Sequence, residues 1–228
     1  MLRQLISIFR SDNPLGAMGD NFAHMLRITH DTTLKAGDIF FGEEVKPEER
    51  TWVYKQDVQV NKLERRIRKQ VIAHLSLSGT AADLPYCLLL MSLVKDVERL
   101  GDYAKNLTEV VDFYAGPLPD DEIVAELREI RKGVETAFAA TAEVFGKSDM
   151  DRAVELIQEG KNLAHRCDNL IEAVARSDHN ASTTTAVVLG TRFYKRIGGH
   201  VLNVLSSVVM PLHKLDYYDE KEILTGED

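Results

Sequence analysis

The sequence predicts an all-α protein made of two tandem three-helix bundles, and three observations carry that prediction. Apolar residues recur at helical spacing in six segments, separated by clusters of Gly, Pro, Ser and Asp. No segment alternates convincingly at period two, so strands are not expected. One unusual helix is also written twice. In "VERLGDYAKNL" (Val97 to Leu107) and "YKRIGGHVLNV" (Tyr194 to Val204), Arg99, Gly101 and Asn106 recur 97 residues later as Arg196, Gly198 and Asn203. Duplication of a three-helix ancestor explains this more simply than coincidence.

The first helix has a stripe of Leu15, Met18, Phe22, Met25, Leu26, Ile39 and Phe40 that ends near Gly42, with Thr29 to Thr33 weakening its middle. After the polar connector "GEEVKPEER", a second helix spans about Thr51 to His74, with Val53, Val60, Leu63, Ile67 and Val71 on one side. "LSLSGTAADLP" breaks it; Thr80 or Asp83 can cap the next helix, with Pro85 in its first turn.

The third helix runs from about Leu84 to Tyr114. Leu93, Val97, Leu100, Ala104, Leu107, Val111 and Tyr114 step alternately by four and three, the spacing of a bundle seam. "AGPLPDD" stops it and marks the best boundary. A fourth helix covers about Asp120 to Phe145. In "GKSDMD", Ser148 is the expected N-cap of the fifth helix, Met150 to Arg176, with Asp151 at the capping-box distance. The sixth helix carries Phe193, Ile197, Val201, Val204, Val208 and Leu212, and Pro211 should kink or end it. The divisions are an amphipathic N-terminal segment (1–14), a first repeat (15–116), a second repeat (117–216) and an acidic tail (217–228). Glycine inside a helix costs about 1 kcal/mol relative to alanine, so Gly101 and Gly198 predict close approach of a neighbouring helix.

The chain has 228 residues, 44% hydrophobic and 28% charged, as in an ordinary globular protein. Its formal charge of −8 argues against nucleic-acid binding. No apolar run is long enough to span a bilayer, and the start does not read as a secretory signal. Cys87 and Cys167 read as small buried hydrophobes, which favours a reduced, cytoplasmic setting. The start, with Leu2, Leu5, Ile6, Ile8 and Phe9 among Arg3 and Arg10, allows peripheral membrane contact; more often such a segment docks on its own bundle or a dimer mate.

Glu98 and Asp102 lie four apart on one face of the third helix and point outward from its seam. The second helix offers Asp57, Asn61 and Glu64. If the two helices are neighbours, oxygen-bearing faces meet, as in bundles that hold Mg²⁺, Mn²⁺, Fe or Zn. The plainer reading is a solvated face balanced by Lys95, Arg99 and Lys105. No Glu-x-x-His pattern strengthens the metal reading. His200 stands where the first copy has Tyr103 and reads as packed or partly exposed; His165 and Asp168, three apart, carry little weight. No nucleophile elbow, phosphate-cradling loop or Cys/His pair appears, which favours a non-enzyme.

With these residues in hand, the sequence resembles the PhoU family of phosphate-signalling proteins. "KDVERLGDYAKNL" (Lys95 to Leu107) looks like the family's E-R-I-G-D-x-x-x-N-I signature, "YKRIGGHVLNV" is its degenerate second copy, and "QDVQVNKLE" (Gln56 to Glu64) is similar to its D-x-x-[VI]-N-x-L-E stretch. The match covers about Leu15 to Leu215. The resemblance implies a cytoplasmic, non-enzymatic regulator that couples a phosphate ABC transporter, through its ATPase, to a sensor histidine kinase, with a homodimer as the expected assembly. It also implies a divalent or iron-type metal ion at Asp57, Glu98 and Asp102, with Asn61 a weaker donor. In the second copy Lys195 replaces the glutamate and Gly199 the aspartate, so an equivalent metal cluster is not expected there: the second site is either lost or replaced by an ion pair. Two rivals remain: an accessory to a sodium–phosphate or other anion carrier at the membrane surface, and a carboxylate-bridged metalloenzyme.

Overall fold

Proline lies in the first two positions of each of the first three helices, where a missing N–H costs nothing. These are α1 (Pro14–Phe41), α2 (Pro47–Leu75) and α3 (Leu84–Glu109). They are followed by α4 (Glu122–Lys147), α5 (Met150–Ala175) and α6 (Ala181–Val209). The structure, a computed structural model, describes residues 13–42, 46–77, 80–114 and 117–215. Nearly all of the amphipathic start and the whole acidic tail lie outside them. Among the described residues there is no strand, so the all-α expectation holds.

Short polar side chains start four helices by accepting a backbone N–H two or three residues on. Asn13 caps α1 through Gly16, Asp121 caps α4 through Val124, Asp149 caps α5 through Arg152, and Asn180 caps α6 through Thr183. The expected N-cap at Ser148 is therefore corrected by one residue. Ser148 instead ends α4 in the left-handed conformation (φ 53°, ψ 42°), with its N–H bonded toward Phe145 and Val144, and Asp149 opens the next helix. Asp83 is the residue at the start of α3, but its carboxylate accepts from His74 Nε2 at 2.8 Å instead of capping.

The middle of α1 is not weak. Thr29, Thr32 and Thr33 are buried, and each hydroxyl donates to a carbonyl one turn back: Met25, Ile28 and Thr29 at 3.0, 2.6 and 2.8 Å. Those bonds make three polar residues acceptable in a core. At the far end, α3 tightens into a 3₁₀ turn over Val110–Phe113, and Tyr114 leaves the helix to donate its hydroxyl to the Phe40 carbonyl at 2.5 Å.

α1, α2 and α3 pack on one another, as do α4, α5 and α6. The α3–α6 and α1–α4 contacts join the two sets, and one continuous hydrophobic cluster draws on both. Phe22 of α1 meets Phe145 of α4 with ring centroids 5.1 Å apart.

The repeated glycines are not sites of close approach, contrary to the sequence expectation. A Cβ on Gly101 would lie 3.6 Å from Thr29 and Val60, and one on Gly198 3.5 Å from Val134, both ordinary contact. Close approach occurs where α6 and α4 press on α1. A Cβ on Gly190 would lie 2.5 Å from the Phe40 ring, and one on Gly37 2.7 Å from Arg131 and the Tyr194 hydroxyl.

Candidate functional site

Asp57 and Asn61 sit one turn apart on α2, and Glu98 and Asp102 one turn apart on α3, so each helix presents its oxygens as a pair. α2 and α3 are neighbours, and the two faces meet. Asp57 is only 9% exposed, so these acids lie in the α2–α3 crevice and do not stand out on a solvated face. Asn61 and Glu64 continue the same edge half-buried.

The crevice is balanced by cations. Lys105 Nζ lies 3.3 Å from Asp57 Oδ2 and 3.3 Å from Asp102 Oδ1, and so bridges the two helices. Arg99 donates to Asp102 Oδ2 at 2.9 Å and stands 3.7 Å from Glu98 Oε2, and Arg68 pairs with Glu64 at 2.7 Å. Burial lowers the proton affinity of the Lys105 ammonium, and Asp57 and Asp102 more than offset it, so its pKa is raised. Glu98 moves the other way from a well-paired acid. Burial, then Asp102, with Glu64 and Asp57 behind it, push its pKa up, against the pull of Arg99.

Asp57, Glu98 and Asp102 are thus brought together as expected. Among the described residues, however, no three His, Cys, Asp or Glu side chains converge into a ready ligand set. The donors suit a hard cation, while the Lys105 ammonium stands between two of them. Lys105 and Arg99 perform the balancing role read from sequence.

Of the two outcomes the sequence left open for the second repeat, a lost site or an ion pair, the structure has the ion pair. Lys195, the counterpart of Glu98, reaches both oxygens of Asp168 on α5 at 2.5 and 2.6 Å.

One functional-looking group was missed. Asp96 is 2% exposed on α3 at its contact with α6, where His200 Nδ1 and Asn203 Nδ2 approach its Oδ1 at 2.7 and 2.9 Å and its Oδ2 has no hydrogen-bond partner among the described residues. Tyr103 stacks on His200 with centroids 5.6 Å apart. A signal existed: Asp96 falls on the seam between Leu93 and Leu100, and its counterpart 97 residues on is the aromatic Phe193.

Fold and site together define a duplicated three-helix protein, with an acidic helix–helix crevice in one copy and a cationic one in the other. The PhoU domain family model matches residues 22–111, which carry the crevice. The chain is similar to the phosphate-specific transport system accessory protein PhoU homolog of Clostridium acetobutylicum, 22% identical over 163 residues, 69% of this chain and 74% of that one. The Pseudomonas putida homolog of the same description is 24% identical over 158 residues, 67% of this chain and 62% of that one. The fold is that of the crystal structure of PhoU from Pseudomonas aeruginosa, with a TM-score of 0.76 at 19% identity over 88% of this chain and 97% of that one.

Proposed function

We propose that this protein is a non-catalytic regulator of phosphate transport that restrains uptake and phosphate-responsive signalling. The observation that carries the reading is the E-R-L-G-D motif of α3, set against Asp57 of α2 within the matched PhoU domain. The relatives are named as accessory proteins of a phosphate-specific transport system. Its mechanism is docking: rigid helix faces bind the ATPase subunit of a phosphate ABC transporter, a sensor histidine kinase, or both, from a cytoplasmic homodimer. Among the described residues no helix is long and apolar enough to cross a membrane.

A divalent or iron-type cation belongs to this proposal at one place. Asp57, Glu98 and Asp102, with Asn61 beside them, would hold it once Lys105 swings out, and the ion would lock α2 to α3 as Lys105 does. Elemental analysis of the wild type against Glu98→Ala/Asp102→Ala tests this; equal metal content in both removes it. The regulatory reading is tested by a phosphate-responsive reporter in a deletion strain. The reporter should be raised in phosphate-replete medium and return to normal when the wild-type chain is restored; an unaltered reporter contradicts the reading.

A further inference from the structure

α6 contains Arg192, Lys195, Arg196 and His200 and not one Asp or Glu, in a chain whose net charge is −8. These four residues line a cavity of about 460 Å³ between α4, α5 and α6. Its remaining walls are uncharged, and include Leu163, Ala164 and Cys167 of α5 and Gly199 of α6. Burial pushes the Cys167 thiol up to about 12, so it adds no negative charge.

The cavity is the second repeat's version of the acidic crevice. Lys195 takes the place of Glu98 and Gly199 that of Asp102, while Asn203 repeats Asn106. On α5, Asp168 meets Lys195, which puts it level with Asn61 and brings Ala164, one turn earlier, level with Asp57. Every acid of the first site has therefore become a cation or a small residue. Gly199 is open: a Cβ there would meet nothing within 4 Å, so the glycine is not demanded by packing and its missing side chain is part of the space.

The charges are unevenly used. Asp168 neutralises Lys195, and Asp96 holds His200 Nδ1 from α3. Arg192 and Arg196 are exposed at the rim, one turn apart, and form no ion pair among the described residues. Two free guanidinium groups on one helix turn suit an oxyanion, which they bind with paired, charge-assisted hydrogen bonds. A volume in the range of small-molecule sites, with an uncharged floor, leaves room for more than the anion.

The geometry points to this cavity as a binding site for a small phosphoryl-bearing ligand, the phosphoryl group meeting Arg192 and Arg196 and any uncharged body lying over Gly199 and Leu163. The site is independent of the regulatory reading, because it rests on charge, space and the repeat.

Calorimetric titration of the full chain with inorganic phosphate, adenosine 5′-monophosphate and adenosine tests it. At least one of the two phosphoryl probes should bind, and adenosine should not. The double variant Arg192→Ser/Arg196→Ser, which alters only exposed side chains, should weaken that binding about tenfold or more. Gly199→Leu, which fills open space and favours the helix, should weaken the monophosphate more than free phosphate if the ligand has a body. Tighter binding of the monophosphate assigns a phosphorylated small molecule; equal binding assigns the free ion. Failure of both phosphoryl probes, or binding that the double arginine variant leaves unchanged, overturns the proposal.

Discussion

Lys195 of α6 and Asp168 of α5 meet at 2.5 Å in the second repeat, where the first repeat sets Glu98 of α3 within the field of Asp57 and Glu64 of α2. The second helix pair matches the first and carries the opposite charge. The acid crevice is held by Lys105, the basic one by Asp168, and each copy supplies its own counter-ion.

Removing Lys105 should expose the first crevice's need for a cation. Lys105→Met leaves Asp57, 9% exposed, facing Asp102 without the ammonium between them. A stability loss of about 1 kcal/mol is expected in urea unfolding, restored by millimolar Mg²⁺ or Mn²⁺ that leaves the wild type unaffected.

Glu98 should give the crevice a pH signature. Its folded pKa is raised above the ordinary 4.5, so the folded state binds the proton more tightly than the unfolded chain. That contribution is complete below about pH 4.5 and disappears as pH rises through the folded pKa. Glu98→Gln should therefore raise the unfolding midpoint at pH 7 and give no such gain near pH 4, as followed by circular dichroism.

The buried acid at the α3–α6 contact should be sensitive to shape as well as charge. Asp96→Ala strips His200 and Asn203 of their acceptor and should cost about 2–3 kcal/mol. Asp96→Asn keeps an acceptor oxygen and should cost less. Denaturant titration of both variants separates the two.

Glycine positions should split by sign. Gly101→Ala places its methyl in ordinary contact and gains helix propensity, so it should stabilise by about 0.5–1 kcal/mol. Gly190→Ala drives a methyl into the Phe40 ring and should destabilise by about 1–3 kcal/mol. Thermal unfolding of the pair checks the assignment.

Much of this architecture was legible in the sequence, because the seam of Leu93, Val97, Leu100, Ala104 and Leu107 fixes both helix and buried face, and all five are fully buried. The repeat made the loss of the acids at Lys195 and Gly199 readable, and left a lost site or an ion pair as the outcomes. What failed depended on partners that periodicity does not encode. Ser148 carries an N-cap side chain but adopts a left-handed backbone, and Thr29 to Thr33 look like an interruption until their carbonyl bonds are counted. Gly101 was read by analogy with close-packed helices, whereas tight contacts lie at Gly37 and Gly190, between the repeats, and at Gly133 and Gly160, within the second. Asp96 went unread because its partners, His200 and Asn203, lie 104 and 107 residues away on α6.

Uptake of labelled phosphate tests the central claim most directly. In phosphate-replete medium, a strain lacking this protein should take up phosphate faster than its parent, and the wild-type chain should restore restraint. Uptake identical with and without the protein would contradict the account.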